Sequence, residues 1–147
     1  MPDPENDAQS PSWEKHTWSE WHRLDTVRGA DSPGLYRLRC HGQAGLIYIG
    51  ETGDSIKARF GQLRKAMEYA AQGRYAAKGK VGGPPHVAGG CVWKHVCVGH
   101  VIEVSWTEAP NLDKRERKGV ECDLIAACRK IMGVSPACQF AGDLEDG

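Results

Sequence analysis

No stretch of this sequence approaches the ~20 consecutive apolar residues that a bilayer-spanning helix needs, so no membrane association is expected. Net charge is also missing: 19 Lys and Arg stand against 19 Asp and Glu. A uniformly cationic surface therefore cannot be invoked to attract nucleic acid. The six cysteines form no CxxC pair, and most sit inside apolar strand-like or helix-like runs. Small buried thiols in a reducing compartment are expected in preference to zinc ligands. There is no internal repeat. Met1 is followed by an acidic, proline-containing tail where a secretory leader would be basic and then apolar, which makes a cytoplasmic location the expectation.

What is present fits one domain, because 147 residues can bury a core without metal or disulfide staples. Charge is unevenly spread. Both ends are acidic, whereas Lys57, Arg59, Arg64, Lys65, Arg74, Lys78 and Lys80 form a basic stretch relieved only by Glu68. Residues 1–12 are rich in Pro, Asp, Asn and Ser and are expected to be a disordered tail. Trp13, Trp18, Trp21 and Leu24 place the start of the packed domain at 13, running to 142, with an acidic tail over 143–147. A turn at Ser32, Pro33 and Gly34 precedes two strands, 35–40 and 46–49, joined as a hairpin. Asp54 or Ser55 can cap a helix over 56–72, and Gly73 ends it. A Gly, Lys and Pro rich loop follows to 90. Residues 91–98 and 101–107 then read as β-rich, and a last helix spans 114–132, closed by Gly133 and Pro136.

Helical projection singles out two charged groups. On the last helix Glu121 falls near the middle of an arc formed by Val120, Leu124, Ile125, Cys128, Ile131 and Met132. A carboxylate turned toward an apolar face costs several kcal/mol unless a cation or metal compensates it. On the first long helix Arg59 lies beside Ala66 and Ala70 at the edge of the buried arc, with Lys57, Arg64 and Lys65 outside. Its planar fork suits a phosphate or a carboxylate, and an Arg59 to Glu121 ion pair is the alternative that needs no ligand. In the hairpin, Tyr36 and Tyr48 can share one sheet face.

Gly34-Leu35-Tyr36 and Tyr48-Ile49-Gly50 resemble the paired motifs of the GIY-YIG nuclease superfamily, with leucine for the central isoleucine of the first. Arg59 on the following helix matches the family arginine, and Glu121 on the last helix matches its metal-binding glutamate. The resemblance runs from Pro33 to Gly142 and includes Pro85-His86 and Trp93, similar to small stand-alone bacterial members. It implies an α+β fold, a three-stranded antiparallel sheet flanked by helices. One departure is Gln139, where the family usually carries an asparagine. Another is Leu63, where a histidine or tyrosine is common and for which His86 is a substitute from the loop.

The resemblance implies hydrolysis of phosphodiester bonds in nucleic acid, with DNA favoured. Glu121 would hold Mg²⁺ or Mn²⁺, Arg59 would clamp the phosphate, and one tyrosine would accept the proton of the attacking water. Tyr36 is assigned that role, with Tyr48 orienting the phosphate or water, and His86 taking the proton onward. Lys57, Arg64 and Lys65 supply substrate grip, and Gln139 orients the substrate. Cutting a duplex needs a homodimer or two visits. The rival expectation is a nucleic-acid-binding module of the same fold with weakened or lost catalysis.

Overall fold

The computed structural model describes residues 7–73 and 85–140. Four antiparallel strands carry the fold: β1 (His22–Arg23), β2 (Gly34–Cys40), β3 (Tyr48–Thr52) and β4 (Ile102–Glu108), in the order β1-β4-β2-β3. Among the described residues three α-helices complete an α+β domain: α1 (Ile56–Ala71), α2 (Gly89–Cys97) and α3 (Lys114–Met132). Among the described residues no helix is long and apolar enough to cross a membrane.

Alternation along β2 divides its side chains between two cores. Tyr36, Leu38 and Cys40 join Tyr48, Val104 and the α1 residues Ile56, Phe60 and Leu63. Leu35 faces the other way and packs with Ile49, Trp13, Trp18 and the α3 residues Leu124 and Cys128. That period of two is the geometry of a strand covered on both faces. Ser55 caps α1 by accepting from the Ala58 N–H. Asp113 and Glu116 form a reciprocal capping box at the start of α3, and Gly133 ends it at φ 80°, a conformation glycine adopts without steric cost.

Several expectations need correcting. The sheet has four strands, because the two residues of β1 pair with Val104 and Glu103. Residues 91–98 form most of a helix: Gly89 lies directly against Ala66, and only a residue without Cβ lets α1 and α2 approach so closely. Packing onto the sheet begins before 13, since Ala8 is buried and its carbonyl accepts from Arg37 Nη1 at 2.6 Å. That guanidinium lies 4.3 Å and 4.6 Å from the Trp18 and Trp21 ring centroids, a cation–π sandwich that draws the segment inward. Its Nε and Nη2 have no hydrogen-bond partner among the described residues, and burial lowers its pKa to about 9. Not all cysteines are buried thiols: Cys91 and Cys138 form a disulfide, and Cys97 and Cys122 are exposed. Residues 1–6, 74–84 and 141–147, with Arg74, Lys78, Lys80 and the acidic C-terminal stretch, lie outside the described residues.

Candidate active site

β3 is an edge strand, so groups from both of its faces can meet beside it. Tyr48 comes from one face and Glu51 from the other. Together with Arg59 of α1 and Lys118, Glu121, Cys122 and Arg129 of α3 they line a cavity of about 450 Å³. The groups singled out on separate elements thus converge.

The hairpin register places Tyr36 opposite Gly50 and Leu38 opposite Tyr48. A Cβ at Gly50 would collide with the Tyr36 ring, so the glycine after Tyr48-Ile49 is required by the phenol across the strand pair. A Cβ at Gly34 would strike the Thr107 carbonyl, which accounts for the first glycine. The Tyr36 and Tyr48 rings are 6.0 Å apart, and His86 lies 5.3 Å from Tyr48.

His86 is buried rather than solvent-exposed, contrary to a loop histidine's usual place. Its Nδ1 accepts from the Ala88 N–H at 3.1 Å. The neutral ring therefore carries its proton on Nε2, which donates to the Tyr36 hydroxyl at 2.7 Å. Burial, reinforced by the Arg59 cation, lowers the His86 pKa to about 3. It is consequently a hydrogen-bond donor and cannot take a proton from Tyr36 in this arrangement.

Both phenols are held protonated. Burial, then the neighbouring Tyr48, raise the Tyr36 pKa well above its usual value, opposed by the charge and hydrogen bond of Arg59. Tyr48 is raised to about 12 by burial and then by Glu121, with Arg59 and a hydrogen bond from Tyr36 acting downward. Donation thus runs from His86 to Tyr36, whose ring lies beside that of Tyr48. Tyr36 is fully buried and Tyr48 is the phenol that lines the cavity.

Glu121 is half-buried, and desolvation raises its pKa against the pull of Lys118. Lys118 Nζ lies 3.8 Å from Glu121 and 3.4 Å from Glu51, while Arg117 Nε holds Glu51 at 2.9 Å. No ion pair joins Arg59 to Glu121 among the described residues. Arg59 instead donates to Gln62 Oε1 at 2.6 Å and more weakly to the Pro85 carbonyl. Glu51, Lys118 and Arg129 were missed by sequence reasoning. The i, i+3 spacing of Lys118 and Glu121 was a usable signal, whereas Glu51 was hidden beside the tyrosine motif.

The other expected contacts fall elsewhere. Lys57 and Lys65 are exposed on α1 and do not line the cavity. Arg64 is already committed, donating to the Leu24 and Val27 carbonyls at 3.0 Å each. Gln139 reaches the cavity, but its amide is spent on β3: Oε1 accepts from the Ile49 N–H at 2.9 Å and Nε2 donates to the Ile49 carbonyl at 2.8 Å. With Cys138 N–H donating to the Ile47 carbonyl at 2.8 Å, this segment covers the open strand edge. Ile131, placed in the buried arc by projection, is exposed, while Arg117 is buried.

No family model, curated protein sequence or solved structure matches this chain.

Proposed function

We propose that the chain is a metal-dependent endonuclease hydrolysing phosphodiester bonds in nucleic acid, with DNA as its substrate, and that it is a member of the GIY-YIG superfamily its tyrosine motifs resemble. The observation that carries this reading is the meeting of Tyr48, Arg59 and Glu121 around one cavity, with Tyr36 and His86 directly behind. Each group answers one requirement of the reaction.

Arg59 supplies positive charge to a phosphate, and Lys118 and Arg129 add to it from the opposite wall. Tyr48 is the phenol positioned to accept the proton of an attacking water. His86 donates to Tyr36, and Tyr36 beside Tyr48 acts to lower the Tyr48 pKa, which favours its ionised form at the moment of transfer. Arg59 acts in the same direction through its charge.

A hard divalent cation fits the donor set. Glu121 presents a desolvated carboxylate whose ion pair with Lys118 is long, and oxygen donors suit Mg²⁺ or Mn²⁺. Glu121 would hold it, and when bound the ion would supply Lewis-acid neutralisation of the phosphate and leaving oxygen. A single site serves one strand, so a duplex cut calls for a homodimer or successive events.

The second reading is a nucleic-acid-binding module with weakened catalysis. It is favoured by the elevation of both phenol pKa values. One assay decides between them. Purified chain is incubated with labelled single-stranded, duplex and branched DNA, with Mg²⁺ and with chelator. Magnesium-dependent cleavage that disappears in Glu121→Gln is the expected result. Binding without cleavage in every condition would leave only the module.

A further inference from the structure

Away from the β3 edge, three soft donors converge: ligand atoms of Cys40, His95 and His100 lie within 4.8 Å of one another. None of the three lines the Tyr48 and Glu121 cavity. Cys40 ends β2, His95 lies in the last turn of α2, and His100 follows the turn after it. Gly99 makes that turn at φ 97°, where other residues are strained. Its N–H donates to the Val96 carbonyl at 3.0 Å and the His100 N–H to the His95 carbonyl at 3.1 Å. The chain is thereby folded back so that the two imidazoles stand 5.9 Å apart. Cys40 is a buried free thiol with its Sγ 3.8 Å from His95 Nδ1.

We propose that Cys40, His95 and His100 form a Zn²⁺ site. A tetrahedral zinc ion with bonds of about 2.0–2.3 Å holds its donors roughly 3.3–3.8 Å apart, so small side-chain rotations close this set around an ion. One thiolate and two imidazoles suit zinc better than magnesium. Three protein ligands leave a fourth position for water or an outside ligand, the pattern of an open site. His100 also lines a neighbouring cavity of about 430 Å³, walled by Leu24, Met67, Trp93 and Val96.

A second set, Cys91, His95 and Cys138, shares His95. Its two sulfurs are bonded to each other, so a dithiol reductant would have to take up the bond, being oxidised to its own disulfide, before either could coordinate. Cys40 needs no reduction. On binding, its thiol gives up one proton to solvent and the sulfur lone pair forms the bond to zinc, with no change of oxidation state. The free-thiol set is therefore the site.

The test uses the full chain, stripped with chelator and kept without reductant, titrated with Co²⁺ as a spectroscopic probe and then with Zn²⁺. Expected are one tightly bound equivalent with a thiolate-to-cobalt charge-transfer band, and displacement of that band by Zn²⁺. Cys40→Ser should remove the band, and His100→Gln, at a half-buried position, should weaken zinc binding by more than about 100-fold, beyond the loss of an outer-shell partner. The double variant Cys91→Ser, Cys138→Ser should keep the band. Absence of binding, a cobalt spectrum without thiolate character, or a band that survives Cys40→Ser but vanishes in the double variant would overturn the assignment. Circular dichroism of each variant separates lost ligation from lost folding.

Discussion

His86 Nε2 lies 2.7 Å from the Tyr36 hydroxyl while His86 Nδ1 is taken by the Ala88 N–H. The imidazole is thereby fixed as a donor by its own backbone neighbourhood. Burial keeps it neutral, with a pKa of about 3. The ring that sequence reasoning cast as a proton acceptor thus serves the phenols by giving a hydrogen bond.

That relationship predicts an acid-labile fold. In the unfolded chain His86 protonates near pH 6.5, whereas in the folded chain it resists until about 3. Its contribution is therefore complete above pH 6.5 and is lost as pH falls through the interval down to 3, reaching about 2 kcal/mol at pH 5. His86→Gln should lower stability at pH 7 and flatten this part of the pH–stability curve, measured by urea unfolding. Equal slopes for the two proteins between pH 6.5 and 4 would refute the assignment.

The pH dependence of cleavage tests the role of Tyr48. With a pKa near 12, raised by burial and then by Glu121, Tyr48 is protonated at neutral pH. Its ionised fraction grows tenfold per pH unit below that value. The logarithm of kcat/KM should therefore climb with a slope near one between pH 6 and 9. Tyr48→Phe should cut the rate by about 100-fold or more, within the range of general-base catalysis. A profile that is flat across this range would remove Tyr48 as the base.

Glu121 should show the signature of a group kept for function at the expense of stability. Desolvation raises its pKa, so the ionised carboxylate destabilises the folded chain above that pKa. The penalty is relieved as pH falls through it. Glu121→Gln should abolish magnesium-dependent cleavage yet leave stability unchanged or increased by up to about 1 kcal/mol. Thermal unfolding alongside the cleavage assay gives both readouts, and a variant that is inactive because it is unfolded would contradict the expectation.

Much of this arrangement was legible in the chain because local chemistry and tertiary packing agree there. The hairpin, Ser55 as cap of α1 and Gly133 as the end of α3 all obey turn and capping rules that need no distant partner. α2 was misread because Val92, Trp93, Val96 and Val98 are β-prone, while the contact that decides for a helix, Gly89 against Ala66, is long-range. β1 is too short to carry a period, and its pairing follows from a sheet edge the sequence does not display. Tyr36, Tyr48, Arg59 and Glu121 were found from motif and helix projection, whereas Glu51 and Arg117 depend on two elements meeting and left no local trace.

Gln139 offers the sharpest separation of structural from catalytic roles. Its amide pairs with both backbone groups of Ile49, imitating a neighbouring strand beside Tyr48. Two such bonds are worth about 1–3 kcal/mol together, so Gln139→Ala should lower stability by that order. Gln139→Asn, one methylene shorter, cannot make both contacts without movement and should recover only part of the loss. A substrate-orienting role would instead raise KM with little change in unfolding. Because the edge pairing holds β3, and β3 carries Tyr48, the expected pattern is a fall in stability with a fall in kcat and an unchanged KM. Increased KM at wild-type stability would return Gln139 to the substrate.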